Sequence, residues 1–336
     1  MMVCEPPQTL RRIALGVAAI ATLASLSARA QSGAQPTPQA QCLPAGQSRA
    51  ALLELKAQEF KLDATSVQTL VIALIPCLAD PDPELRDGVA FEAMSKWLRG
   101  RQVKPETATK LMTTLQQQLI AASSKSAGKP VNPDSSGANA ANNAGFAAPF
   151  AALVLADVVR MDRIEPFLTA RHRTSLANSS AAYLKSVTDY RGFDASSGWR
   201  HGVAHSADLL MQLAINQRVD KTALDANLDA IAAQVAPARE HFYIYGEPTR
   251  LATAAFYTAQ RHLHSAEEWT KWCQTIVDPA PLANWTDAFT SQAGLAKRHN
   301  TLTFLQALYT LTQENGDSIT KERLLPAIQK AIEAVW

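Results

Sequence analysis

The sequence carries no Gly-x-Gly-x-x-Gly, no P-loop, no Gly-x-Ser-x-Gly and no Cys-x-x-Cys. Without the first two, nothing cradles a pyrophosphate or triphosphate, which argues against nucleotide-cofactor chemistry. Without the third there is no nucleophile elbow. Cysteine is scarce: Cys4 precedes an apolar run, so it is no lipobox cysteine, and Cys42, Cys77 and Cys273 are too widely spaced to read as a zinc site. Only Ile13–Leu26 is long and apolar, and it falls short of the roughly 20 residues of a bilayer-spanning helix. An excess of charge is also missing. The chain has 32 Lys and Arg against 30 Asp and Glu, and residues outside 1–30 carry 29 of each. That balance leaves no basic field to favour nucleic acid or anionic lipid as a partner.

What is present begins with an address. Arg11 and Arg12 precede the apolar run, and Ala28-Arg29-Ala30 supplies small residues ahead of Gln31. This order predicts a secretory signal peptide over 1–30, cleaved near Ala30, and a periplasmic or secreted protein with no membrane span after cleavage. Leu10 and Ala14 do not fit a twin-arginine motif, so the general export route is expected. An oxidising compartment permits disulfides, and a Cys42–Cys77 bridge would pin the start of the mature chain. Cys273 is then left as a small core residue.

The remainder reads as helix after helix, with no alternation of strand type. Asp82-Pro83-Glu84 places a capping carboxylate before a first-turn proline and opens a helix to about Leu98. Pro105-Glu106 opens another, to about Ala122. Further helices are expected near 48–60, 65–78, 147–160, 174–188, 199–216, 222–235, 250–263, 266–276, 299–313 and 320–334. Short connections suit antiparallel hairpins, so the fold class is all-α, a curved HEAT-like α/α solenoid array. Residues 123–145, rich in Ser, Gly, Asn and Pro, read as a flexible low-complexity loop between helical units at 31–122 and 146–336, which together make one continuous domain.

The segment DYRGFDASSGWRHGVAHSAD, 189–208, concentrates the chemistry. Read as a helix from Trp199, it places His201, His205 and Asp208 on one polar stripe, opposite Val203, Ala207 and Leu210. That stripe is consistent with a groove lining, with a hydrogen-bonded structural stripe, or with two imidazoles and a carboxylate holding a divalent metal. Gly202 stands where a His-Glu-x-x-His motif would place its glutamate. Upstream, Arg191 is expected to pair with Asp189, Asp194 or Asp208.

A second constellation, HFYIYGEPTR at 241–250, brings Tyr245, Glu247 and Arg250. Tyr245 and Trp199 would stack on a sugar ring or a peptide. Glu247 with Asp189 or Asp208 would offer paired carboxylates for glycoside hydrolysis, and helix capping with aromatic packing is the structural alternative.

These two segments, with PDPELRDGVAFEAMSKWLRG and PFAALVLADVVRMDR, resemble a bacterial family catalogued as domain of unknown function 2785. The likeness runs from about Cys42 to the C-terminal helices, and its most specific part is Trp-x-His-x-x-x-His-x-x-Asp. The resemblance implies an all-helical fold and no particular activity. It marks Asp189, Arg191, Gly192, Trp199, His201, His205, Asp208, Tyr245, Gly246, Glu247 and Arg250 as matched positions. The functional expectation is a binding or scaffold module for a peptide, glycan or protein ligand, with a metal-dependent or paired-carboxylate hydrolase as the alternative.

Overall fold

Polar caps set where most of the helices start. The computed structural model describes residues 42–126, 145–237 and 239–336. Ser48 opens α1 (Arg49–Ala57) and Asp63 opens α2 (Ala64–Ala73), each side-chain oxygen accepting an N–H that the first turn leaves unpaired. After a 3-10 turn (Ile75–Ala79), Asp82 caps α3 (Pro83–Leu85), as the Asp-Pro-Glu pattern predicts. The helix then widens into π form over Arg86–Phe91 and resumes as α4 (Glu92–Arg99). Nothing in the apolar spacing announces this widening. Next comes α5 (Pro105–Ser126), which continues past the expected end near Ala122. Residues 123–126, expected in the low-complexity loop, are therefore helical. Residues 127–144 of it, and the expected signal peptide at 1–30, lie outside the described residues.

The C-terminal half holds α6 (Ala147–Ile164), α7 (Ala170–Ser186), a short antiparallel pair β1 (Phe193–Asp194) and β2 (Gly198–Trp199), α8 (Gly202–Ile215) and α9 (Lys221–Val235). It ends with α10 (Glu247–Ala259), α11 (Ala266–Ile276), α12 (Gln292–Asn315) and α13 (Ser318–Val335). Thr169, Asp220, Ser265, Ser291 and Asp317 cap five of these, and Ser265 completes a capping box with Glu268. The fold is all-α: β1 and β2 are the only strands among the described residues.

Alternate helices form two layers. In one, α4 packs on α6, α6 on α8, α8 on α10 and α10 on α12. In the other, α5 packs on α7, α7 on α9, α9 on α11 and α11 on α13. The most extensive contacts in the C-terminal half lie mainly between helices two apart, rather than between consecutive helices as hairpins imply. These helices bury several alanines: Ala151 and Ala152 on α6, Ala207 and Ala214 on α8, Ala252 and Ala255 on α10. With only a methyl group at the contact, backbones approach further than leucine allows. One hydrophobic core runs from Cys42 to Val335. No helix among the described residues is long and apolar enough to cross a membrane.

Two devices fasten this array. Cys42 and Cys77 form a disulfide, with Cα atoms 4.7 Å apart, tying the start of the described chain to the 3-10 turn. Cys273 is a free, buried thiol, and burial pushes its pKa up to about 12. Deeper in, the Asp162 carboxylate accepts from Arg173 Nε at 2.6 Å, Arg173 Nη2 at 2.8 Å, the Phe167 and Leu168 N–H groups, and Asn216 Nδ2. Burial opposes the charge, but the Arg173 guanidinium and the other donors outweigh it and hold the carboxyl below its usual range. This knot joins the ends of α6 and α8 to α7.

Candidate binding site

The turn between β1 and β2 is held from beneath by two buried arginines. Arg86 Nη2 donates to the Ser197 carbonyl at 2.7 Å, and Arg200 Nη1 donates to Ser197 Oγ at 3.2 Å. The Phe146 ring lies against both guanidiniums, 3.8 Å from Arg86 Cζ and 4.2 Å from Arg200 Cζ. Arg86 also pairs with Asp87 and donates to the Asp80 carbonyl. Burial pulls both arginines below their ordinary pKa, and neither approaches neutrality at physiological pH. At the tip, Asp194 accepts from the hydroxyl of Ser196, from the N–H groups of Ser196 and Ser197, and from the Ser197 hydroxyl. These bonds, the Ser196 hydroxyl first, bring its pKa down to about 2. Asp194 therefore shapes the turn and does not pair with Arg191. Arg191 pairs with Asp189, its Nε 2.8 Å from Asp189 Oδ1.

The pair presents an aromatic corner. Phe193 and Trp199 stand opposite each other in register, with ring centroids 5.2 Å apart and planes tilted by 55°. Tyr245, from the segment before α10, meets Trp199 edge-on at 5.6 Å and 85°. It gets there only because residue 192 is glycine: a Cβ on Gly192 would lie 2.0 Å from Tyr245 Cδ2. Phe193 is 50% exposed and Trp199 39%, so large apolar side chains face solvent here instead of the core.

His201 lies under the corner. It is not part of the helix, contrary to the reading of 199–215 as one continuous element. It is the N-cap of α8, with a left-handed backbone at φ 54°, and Trp199 belongs to β2. The Gly198 turn and the strand pair take up the residues that the helical pattern assigned to a first turn. The His201 ring stacks on Trp199 at 4.8 Å and meets the Tyr245 ring edge-on at 6.3 Å. Its Nε2 has no hydrogen-bond partner and lies 3.6 Å from Glu247 Oε1. Burial, then the charge of Arg250, lowers the His201 pKa.

The expected polar stripe does not line a groove. His205 is buried, edge-on to Phe150 of α6 at 5.3 Å, and its Nδ1 has no hydrogen-bond partner. Burial, helped by His201 and Arg250, pushes its pKa down to about 3, so it is neutral at physiological pH. Asp208 pairs with Arg250 of α10; burial raises its pKa while the guanidinium opposes. Glu247, the first residue of α10, is 2% exposed and accepts the Tyr245 N–H at 3.0 Å; burial raises its pKa. No three His, Cys, Asp or Glu side chains among the described residues are grouped to hold a metal, so His201, His205 and Asp208 do not converge as a ligand set.

A family model described as protein of unknown function (DUF2785) matches residues 138–310, just over half of the chain. The chain belongs to that family. No curated protein and no solved structure matches it. The DUF2785 match takes in the whole aromatic corner, from the strand pair to Arg250, and leaves out the π segment that supplies Arg86. It is shorter than the likeness expected from about Cys42 onward.

Three contributors escaped the sequence reading. Phe193 lies inside the 189–208 segment, so it carried a signal in its neighbours. Arg86 and Phe146 carried none, because their role depends on contacts far along the chain. Elsewhere, an open cleft of about 660 Å³ lies between α5 and α7, lined by Gln116, Ile120, Arg171, Ser175 and Asn178. Another, of about 370 Å³, is lined by Trp285, Phe289 and Trp336. Neither contains a residue of the corner.

Proposed function

We propose that this chain is an exported binding module that holds a peptide segment of a partner protein against the corner formed by Phe193, Trp199 and Tyr245. The observation that carries this reading is the exposure of large apolar side chains on two loops that are themselves rigidly braced. Exposed patches of this kind mark interaction sites, and Trp, Tyr and Arg are the residue types that dominate binding energy. Braced rings also lose little freedom on binding. A peptide is favoured over a glycan because the nearby groups that would bond sugar hydroxyls are already engaged: Asp208 with Arg250, and Glu247 with Tyr245. The same engagement weakens the hydrolase alternative, which needs a free carboxylate facing an open cleft. The signal-like N-terminus and the Cys42–Cys77 bridge support an exported setting, and the layered helices support a curved HEAT-like array as the scaffold.

The test is to pan a random displayed-peptide library on the full chain, with counter-selection on Trp199→Ala. Peptides that bind the wild type and lose at least about tenfold affinity on Trp199→Ala or Tyr245→Ala are expected, since a hot-spot truncation costs roughly 2 kcal/mol or more. Peptides indifferent to both substitutions, or release of product from a panel of oligosaccharides, would overturn the reading.

A further inference from the structure

The residues from His241 to Tyr245, which lead into α10, alternate in what surrounds them. His241 stacks on Tyr190 at 5.0 Å and Tyr243 meets the same ring edge-on at 5.9 Å, whereas Phe242 packs on His299 of α12 at 5.5 Å. Tyr243 is 3% exposed and Ile244 is 70% exposed. A period of two is that of an extended chain.

The main chain alternates in the same way. Asn300, buried on α12, accepts the Tyr243 N–H on Oδ1 at 2.9 Å and donates Nδ2 to the His241 carbonyl at 2.8 Å. One side-chain amide thus bonds residues two apart, as a residue of a neighbouring strand does in a parallel ladder. The Tyr245 N–H goes to Glu247 Oε2 at 3.0 Å. Among the described residues, no group bonds the N–H or the C=O of Phe242 or Ile244. In an extended chain those groups share the edge opposite to Asn300, about 7 Å from one residue to the next but one. Tyr243 anchors the segment: its hydroxyl donates to the Gln234 carbonyl at 3.0 Å, and Gln234 Nε2 donates to the Leu184 and Val187 carbonyls. One edge is therefore paired and fixed, the other is free, and the next residue along is Tyr245 of the aromatic corner.

Resting on the peptide-binding reading, we propose that the partner segment is held as an added β-strand along Phe242–Ile244 and continues from there to Tyr245. An extended peptide carries N–H and C=O groups at the repeat this edge presents. A helix spends the same groups on itself, and a sugar has none at that repeat. Main-chain bonds along the edge supply affinity with little demand on sequence, and the corner supplies selectivity. Opposite the exposed Ile244, a β-branched or aromatic residue of the partner makes the favourable cross-strand pair.

The experiment selects random displayed peptides on the full wild-type chain, then measures synthetic copies of them against the wild type, Trp199→Ala, Ile244→Pro and Ile244→Ala. Proline at 244 removes an N–H that no protein group uses and suits an extended chain, so the melting temperature is expected to hold. Ile244→Ala loses the same side chain but keeps the N–H. Binding to Ile244→Pro is expected to be about tenfold weaker than to Ile244→Ala. N-methylation along the peptide, read on the wild type, keeps the test alive if the proline variant misfolds. Losses of about tenfold are expected at alternate positions only. Equal affinity for folded Ile244→Pro and Ile244→Ala, or N-methyl losses without a period of two, overturns strand addition. Peptides that need Trp199 but not the residue 244 N–H sink strand addition alone. Peptides that need that N–H but not Trp199 sink the aromatic corner as the holding site alone, and a selection that yields no binder sinks both.

Discussion

Arg86 and Ser197 lie 111 positions apart in the sequence and are joined by a 2.7 Å hydrogen bond that spans the whole span between the N-terminal helices and the β1–β2 turn. The π-helical widening of Arg86–Phe91 is where this contact originates, so a local irregularity in one helix serves a surface turn formed much later in the chain.

Replacing Arg86 with Met removes the fork that reaches Ser197, Asp87 and the Asp80 carbonyl while keeping the apolar stem beside Phe146. A loss of roughly 2–4 kcal/mol is expected, since hydrogen bonds to charged groups contribute about 1.5–3 kcal/mol and several are lost at once. Arg86→Lys should recover little, because an ammonium cannot copy the fork. Urea unfolding of the three proteins checks this; equal midpoints for Lys and Arg would refute it.

Asp162 makes acid stability measurable. Its carboxyl lies below the ordinary range when folded, so its contribution is complete above the unfolded carboxylate value and disappears as pH falls through the folded one. Asp162→Asn leaves the buried Arg173 without its counter-charge and should cost about 3–5 kcal/mol at neutral pH. The gap between variant and wild type should narrow on acidification. Melting curves from pH 7 downward that stay parallel would show that Asp162 carries no such charge.

Gly192→Ala tests the close approach of Tyr245. The backbone there is ordinary, so the expected penalty of roughly 1–3 kcal/mol comes from the added methyl group against the ring alone. Removing the ring as well, in Gly192→Ala with Tyr245→Ala, should abolish most of that penalty. Strict additivity in this double-mutant cycle would place the strain elsewhere.

The Cys42–Cys77 bridge closes a loop with a sequence separation of 35. Chain-entropy reasoning gives it about 3–4 kcal/mol under oxidising conditions. Cys42→Ala should therefore match the reduced wild type in a denaturant titration, and Cys273→Ala should leave the response to reductant unchanged.

Periodicity and capping residues were enough to expect the helices, because each depends on neighbours within a turn. Asp82-Pro83 and the 266–276 helix illustrate how close that comes. The site was legible as a neighbourhood but not as a geometry. Trp199 and His201 looked helical because Gly202 onward is helical, and no short-range rule signals that Gly198 turns the chain into a strand pair first. The polar stripe misled for a related reason: His205 has the right spacing for a surface stripe, yet Phe150 of α6 covers it. Of the three partners open to Arg191 the structure takes Asp189, while Asp208 meets Arg250, 42 positions away, a pairing fixed by how α8 lies on α10.

The alternation of helices between layers has a consequence for parity. Deleting one helix would assign every later helix to the opposite layer and turn its apolar face toward water. Deleting two successive helices would leave the register of the rest intact. Viable changes of length in this architecture therefore come in even steps, whatever residues the added or lost pair contains.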